Sequence, residues 1–259
     1  MSNSIKKPSV GLCFIDTAAP VLSRVAVNNC INGFSFDKVT VFTDTPEFYN
    51  GVPSVQIPTL KSALAYGEFV IRELPKYIET DFILIAHYDG FILNKDQFSP
   101  HFYHYDYIGA PFGTPSGPVV GNGGFCWRSR KLCLGIQSIV ENEILTEYED
   151  LVICTRKRGL LESQYNCRFS SVELASHFSF EAAIPPYPTF GFHGAFHLPA
   201  LFRENLPFLL ENVPPRLLTT EDGMIPIFMH HLNMISPSAV TQYEEIVSRK
   251  KESARAARL

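Results

Sequence analysis

Phe82–Gly90, FILIAHYDG, is the stretch that decides how this chain reads. A short unbroken apolar run such as FILIA fits a strand buried on both faces, the pattern of a parallel strand covered by helices. HYDG then ends the strand in polar, turn-forming residues. Working outward, Val10–Ile15 is a second apolar run, and Lys38–Phe42 (KVTVF) is alternating and β-branched. Pro20–Cys30 predicts a helix opened by its proline. Leu60, Leu64, Ile71 and Leu74 recur at helical spacing until Pro75 closes the pattern. This βαβαβ order predicts an α/β fold, with a mainly parallel twisted sheet covered by helices.

In such sheets ligands bind outside the carboxyl ends of the strands. Those ends hold Asp16-Thr17, Thr43-Asp44-Thr45 and His87-Tyr88-Asp89-Gly90. A carboxylate there suits a hard divalent cation that holds phosphates; Asp89-Gly90 also suits a simple turn.

Beyond Tyr107-Ile108 the segment GAPFGTPSGPVVGNGG is dense in turn residues and predicts irregular structure. GNGGFCWRSR then runs toward a helix over Ser129–Val140, so its glycines offer a backbone approach to phosphate, with Arg128 and Arg130 beside it. Glu147–Leu161 predicts a second helix opened by acidic residues. Glu149 and Asp150 there serve either as dipole-compensating charges or as a general base. Tyr187–Leu198 predicts a strand and turn around His193, which fits either a metal ligand or a packed histidine. The rest predicts helices broken at Pro207, Pro214-Pro215 and Pro226.

Composition narrows the function classes. The 259 residues are 46% hydrophobic and 19% charged, which excludes a disordered chain. A net charge of −4 argues against a nucleic-acid binder. Arg249–Leu259 holds five basic residues and one acidic, leaving 17 basic and 25 acidic before it. Such a tail suits an anionic surface, such as a membrane reached through a helix over Tyr243–Leu259, or is simply solvated. Six cysteines without a CxxC pair, no apolar leader and no apolar run near ~18 residues predict a reduced, cytoplasmic protein with free thiols. No internal repeat or long linker occurs. The expected organisation is one domain over 1–240 and a basic helix or tail over 241–259.

In this order DGFIL, YDYIGAPF, GNGGFCWRSR, YEDLVIC and FGFHG resemble a glycosyltransferase-like family that looks like a member of the GT-A fold. The resemblance covers roughly Val39–His197. It implies a hexosyltransferase-like enzyme using a nucleotide-sugar donor, most often a UDP-sugar, with Mn2+ or Mg2+. The acceptor would be a hydroxyl of a glycan or lipid-linked molecule, as in polysaccharide biosynthesis, with inversion at the sugar. Asp89 stands where the metal-holding last carboxylate of the family's DxD triplet stands, and His87 replaces the first, which implies a donor-binding place for it. His193 corresponds to the late metal-ligating histidine, and Asp150, with Glu149 beside it, to the base. Asn122, Gly123 and Gly124 would lie under the sugar and Arg128 near the phosphates. Asp16, Thr17 and Asp44 would touch the nucleoside. Two other classes use the same residues: a non-catalytic nucleotide- or sugar-binding module, and a metal-dependent phosphoesterase.

Overall fold

The computed structural model describes residues 7–114, 117–213, 217 and 225–256. In chain order its strands and helices are β1 (Val10–Ile15), α1 (Pro20–Gly33), β2 (Lys38–Thr43), β3 (Ser54–Gln56), α2 (Ala63–Glu68), β4 (Phe82–Ala86), β5 (Tyr107–Gly109), β6 (Pro111–Thr114), β7 (Gly117–Val120), β8 (Cys126–Ser129) and α3 (Arg130–Ile139). There follow α4 (Glu149–Leu151), α5 (Arg158–Tyr165), α6 (Val172–Phe178), β9 (Ser179–Phe180), β10 (Gly191–Phe192), α7 (Leu198–Leu201), α8 (Leu206–Glu211), α9 (Ile225–Ile235) and α10 (Pro237–Ala256). The class is the expected one: a mainly parallel sheet flanked by helices, with a helical C-terminus.

The central sheet runs β3-β2-β1-β4-β8-β5. β1 pairs in parallel with β2 and β4, and β2 with β3. β8 alone runs backwards, antiparallel to β4 and β5. The chain winds outward from β1 in one direction through β2 and β3, then crosses to β4 on the other side. That reversal opens a crevice between the carboxyl ends of β1 and β4. Every residue of β1 is buried, which is why it reads as a plain apolar run rather than an alternating one.

The backward course of β8 corrects one expectation. The helix expected over Ser129–Val140 is present as α3, but the strand β8 stands between the glycines and that helix. Cys126, at the start of β8, lies opposite Ile85 near the carboxyl end of β4, and Ser129 lies opposite Phe82 at the other end. The glycines therefore border the crevice, while the start of α3 lies at the far edge. Arg130 is there too, its Nε donating to the Ile78 carbonyl at 3.0 Å, away from any phosphate in the crevice.

Other differences are local. Part of the turn-rich loop forms an antiparallel hairpin, β6 with β7. The Leu60–Leu74 helix is shorter, with α2 passing into a π-helical turn over Phe69–Glu73 and a 3-10 turn over Leu74–Tyr77 that includes Pro75. The Glu147–Leu161 helix is broken into α4, a π-helical turn over Val152–Arg156, and α5. Pro207 and Pro226 sit in the first turns of α8 and α9, where a missing N–H costs nothing, so they start helices rather than break them. Pro214-Pro215 lies outside the described residues.

The abundant phenylalanine is core. Phe98, Phe102, Phe125, Phe178 and Phe190 pack ring against ring, some edge to face and Phe125 stacked on Phe178, with centroids 5.2–5.8 Å apart along the chain of contacts, behind the strand ends. All six cysteines are buried and unbridged. Helix α10 begins earlier than expected and runs unbroken through 240–241. Its Tyr243 is buried, packs at a tilt against Phe228 with centroids 5.2 Å apart and donates to the Leu217 carbonyl. Tyr243, Ile246 and Val247 of the tail helix thus pack on the body, while Arg249 and Lys250 are exposed. Arg258 and Leu259 lie outside the described residues. Among those residues no helix is long and apolar enough to cross a membrane.

Candidate metal centre

Strand β4 delivers His87 and Asp89 to the crevice through a tight turn. His87 N–H donates to the Gly90 carbonyl at 2.8 Å, and Gly90 N–H returns the bond at 3.1 Å. Asp89 is 1% exposed, and its carbonyl accepts from Gly194 N–H at 2.7 Å, which ties the turn to the segment carrying His193. The Tyr66 ring of α2 packs edge-on against His87 at 4.8 Å, and its hydroxyl reaches the Gly123 carbonyl at 3.4 Å.

His193 follows β10, a two-residue strand parallel to β9. Its Nε2 lies 3.8 Å from Asp89 Oδ1. One ligand atom from each of His87, Asp89 and His193 lies within 4.8 Å of the other two. At metal–ligand distances of about 2.1 Å, two atoms on opposite sides of one ion are about 4.2 Å apart, so a few tenths of an ångström of side-chain adjustment brings all three into one sphere. Two imidazole nitrogens and a carboxylate oxygen form a donor set suited to a divalent transition ion.

The glycines of GNGG are there for close approach. A Cβ on Gly124 would sit 2.0 Å from His193 Nε2, and one on Gly123 would sit 1.4 Å from Glu149 Oε1. Asn122 adopts a left-handed backbone, φ 57°. Its Oδ1 accepts from the N–H groups of Gly124 (3.1 Å) and Phe125 (3.4 Å), so its Nδ2 faces His193 Nδ1 at 2.8 Å.

Glu149 is buried against Arg128, Oε1 to Nη2 at 3.0 Å, and Arg128 lies over the Tyr107 ring at 5.2 Å. Burial and the neighbouring Asp150 raise the Glu149 carboxyl. Arg128 is thus engaged inside the protein rather than open to the crevice. Asp150 is half-buried, its Oδ1 accepting from Leu151 N–H at 2.8 Å. Burial raises its carboxyl as well, and it lies within electrostatic reach of Glu181 and His193.

On the β1 side Asp16 is buried and accepts from Ala18 and Ala19 N–H at 3.2 and 3.0 Å. Burial pushes its carboxyl up to about 6. Thr17 Oγ1 accepts from Leu60 N–H at 3.0 Å, and Asp44 accepts from the Thr59 hydroxyl at 2.6 Å, so both are tied to the Thr59-Leu60 segment. The structure thus groups His87, Asp89, His193, Asn122, Gly123, Gly124 and Asp150. Asp16 approaches from β1, and Thr17 and Asp44 lie farther along the strand ends.

Sequence reasoning missed Glu181. Its Oε1 lies 2.9 Å from His193 Nδ1. It follows β9 directly, in a loop with no periodic pattern, and only an acidic residue after the apolar FSF hints at it.

No curated protein matches the sequence. Among solved structures, the bifunctional IspDF of Campylobacter jejuni is similar at 10% identity and TM-score 0.40, over 56% of this chain and 46% of that one. Glucosyl-3-phosphoglycerate synthase of Mycobacterium tuberculosis, in complex with Mn2+, UDP-glucose and phosphoglyceric acid, is similar at 11% identity and TM-score 0.33, over 48% of this chain and 57% of that one. The chain thus spans about half the length of these structures. A family model matches residues 52–193, a span that holds His87, Asp89, the GNGG turn, Asp150 and Glu181 and ends on His193 itself. The chain belongs to the family described as "Protein of unknown function (DUF5672)".

Proposed function

We propose that the protein is a GT-A-like glycosyltransferase that moves a sugar from a nucleotide-sugar donor to a hydroxyl of a glycan or lipid-linked acceptor. The observation that carries this reading is the convergence of His87, Asp89 and His193 at the carboxyl ends of β1 and β4. That is where a nucleotide diphosphate is expected in such a sheet. Bound there, Mn2+ or Mg2+ would neutralise the charge that develops on the leaving diphosphate. The two imidazoles favour Mn2+, because Mg2+ prefers oxygen ligands.

In this reading Asp16, Thr17 and Asp44 line the nucleoside side. Asn122, Gly123 and Gly124 form the floor under the sugar. Arg128 and Glu149 brace that floor from behind. Asp150 accepts the proton of the acceptor hydroxyl as its oxygen attacks the anomeric carbon, and a single base opposite the leaving group gives inversion. UDP-sugars are the favoured donors. The enzyme would act in the cytoplasm, with the exposed Arg249 and Lys250 of α10 giving reversible contact with an anionic membrane.

The test is a panel of UDP-, GDP-, CMP- and dTDP-sugars with and without Mn2+, read by thermal shift and donor hydrolysis. A donor at 100 times its Kd adds about 2.7 kcal/mol of stability. Mn2+-dependent stabilisation by one nucleotide class, with slow hydrolysis of the sugar, is expected. Binding without turnover would leave a sugar-nucleotide-binding module, and hydrolysis of simple phosphoesters would leave a phosphoesterase.

A further inference from the structure

We infer that Glu181 is the positioning residue that makes His193 a metal ligand, by holding the imidazole proton on Nδ1. The inference rests on the metal centre proposed above.

His193 Nδ1 has two competing neighbours. Glu181 Oε1 lies 2.9 Å away, and Asn122 Nδ2 lies 2.8 Å away. The two demand opposite tautomers. A carboxylate only accepts, so the Glu181 contact needs a proton on Nδ1. An amide NH2 only donates, so a hydrogen bond from Asn122 to Nδ1 needs that nitrogen bare and puts the proton on Nε2. Asn122 cannot resolve the conflict by flipping its amide, because its Oδ1 is held by the N–H groups of Gly124 and Phe125.

Charge decides the competition. A hydrogen bond to a carboxylate is roughly twice as strong as one between neutral groups, so Glu181 Oε1, 2.9 Å from Nδ1, outcompetes the neutral Asn122 amide for that nitrogen. An ionised Glu181 accepts from His193 Nδ1–H and from Asn122 Nδ2–H together, and all three groups are satisfied. With the proton on Nδ1, His193 turns the Nε2 lone pair toward the Asp89 side, 3.8 Å from Oδ1. Carboxylates that orient metal-binding imidazoles in this way are a general device, and their loss typically costs about 10–100-fold in metal affinity. Without Glu181, the fixed Asn122 amide takes over Nδ1, and the proton moves to the nitrogen that should bind the ion.

This mechanism makes an unusual rescue possible. Asn122→Asp keeps the oxygen that accepts from Gly124 and Phe125 and replaces the donor with an acceptor. It therefore supplies a carboxylate to Nδ1 from the other side, and Asp tolerates a left-handed backbone.

The experiment titrates Mn2+ alone into the full chain by electron paramagnetic resonance. In parallel, long-range 1H–15N spectra of the metal-free protein read the His193 tautomer, with His193→Gln providing the assignment. Wild type should bind Mn2+ and carry the proton on Nδ1. Glu181→Ala should bind about 10–100-fold more weakly and carry it on Nε2. Glu181→Ala/Asn122→Asp should return to Nδ1–H and recover most of the affinity, which a merely structural loss would not allow. Glu181→Met keeps the side-chain volume and takes the place of the alanine variant should that one not fold. Unchanged tautomer and affinity in the Glu181 variants, or a folded double variant with no recovery, would overturn the inference. Failure of the metal reading itself is separate: wild type would then bind no Mn2+ that Asp89→Ala abolishes, while the spectra still report which atom Glu181 controls.

Discussion

Arg128 and Glu149 form an ion pair at 3.0 Å whose side chains are only 2% and 6% exposed, directly behind the turn that borders the candidate metal centre. Removing one member strands a charge in the interior, which costs on the order of 3–5 kcal/mol, whereas replacing both with apolar groups is often neutral. Arg128→Met should therefore lower the urea midpoint sharply, and Arg128→Met/Glu149→Leu should recover most of the loss. A single variant as stable as wild type would show that the pair does not hold the turn.

Gly124 touches His193 so closely that a methyl group cannot be added without moving the ring. Gly124→Ala, with its Cβ 2.0 Å from His193 Nε2, should abolish Mn2+ binding measured by titration. Gly159 is the control. A Cβ there meets nothing within 4 Å, in the exposed first turn of α5. Gly159→Ala should leave Mn2+ affinity unchanged and add about 0.4–1 kcal/mol of stability.

Asp150 is proposed to take the acceptor proton. Asp150→Asn should leave donor affinity intact and lower transfer by about 10²–10⁴-fold. Because burial raises this carboxyl, the acid limb of the rate–pH profile should lie above the ordinary carboxylate range. The variant should lack that limb. Near-normal transfer by Asp150→Asn would move the role elsewhere.

His197 makes the fold sensitive to acid. It is 1% exposed, donates from Nε2 to the Glu181 carbonyl at 2.5 Å and stacks on His231 with centroids 5.5 Å apart. Burial lowers its pKa from 6.5 to about 4. The folded state therefore binds this proton less readily than the unfolded chain. Its contribution is complete above about pH 6.5 and is lost as pH falls toward 4, on the order of 3 kcal/mol in all. His197→Phe should flatten this part of the stability–pH curve obtained from denaturation at a series of pH values.

The tail carries the membrane expectation by charge alone, since Tyr243 and its apolar neighbours pack on the body. Each Lys or Arg near an anionic bilayer is worth about 1 kcal/mol. Sedimentation with anionic vesicles should fall at high salt and fall again when Arg249–Leu259 is deleted. Binding that is absent, or indifferent to the deletion, leaves α10 as a packing helix.

What could be read beforehand followed from burial. β1 and β4 are buried along almost their whole length, so they appear as apolar runs, and the residues at their ends, Asp16, His87 and Asp89, come to the crevice by topology alone. The direction of β8 was not legible, because CWRS states no direction; direction arises only from pairing with β4 and β5. The π-helical turns at Phe69–Glu73 and Val152–Arg156 keep apolar residues facing inward, so they look like continued helix. Glu181 was invisible for a different reason. Its proposed role rests on a contact across the β9–β10 pair, and nothing in the local sequence of its loop marks that contact.

That pair of two-residue strands has a consequence for transplantation. His193, the proposed ligand, and Glu181, the carboxylate proposed to hold its proton, sit at the exits of adjacent, mutually hydrogen-bonded strands, and the His193 N–H itself donates to the Phe180 carbonyl at 2.9 Å. They form a single cassette. A chimaera that exchanges residues 179–193 as one block with another family member should inherit a working imidazole. One that exchanges only the stretch around either residue should inherit the wrong protonation even if every ligand is present.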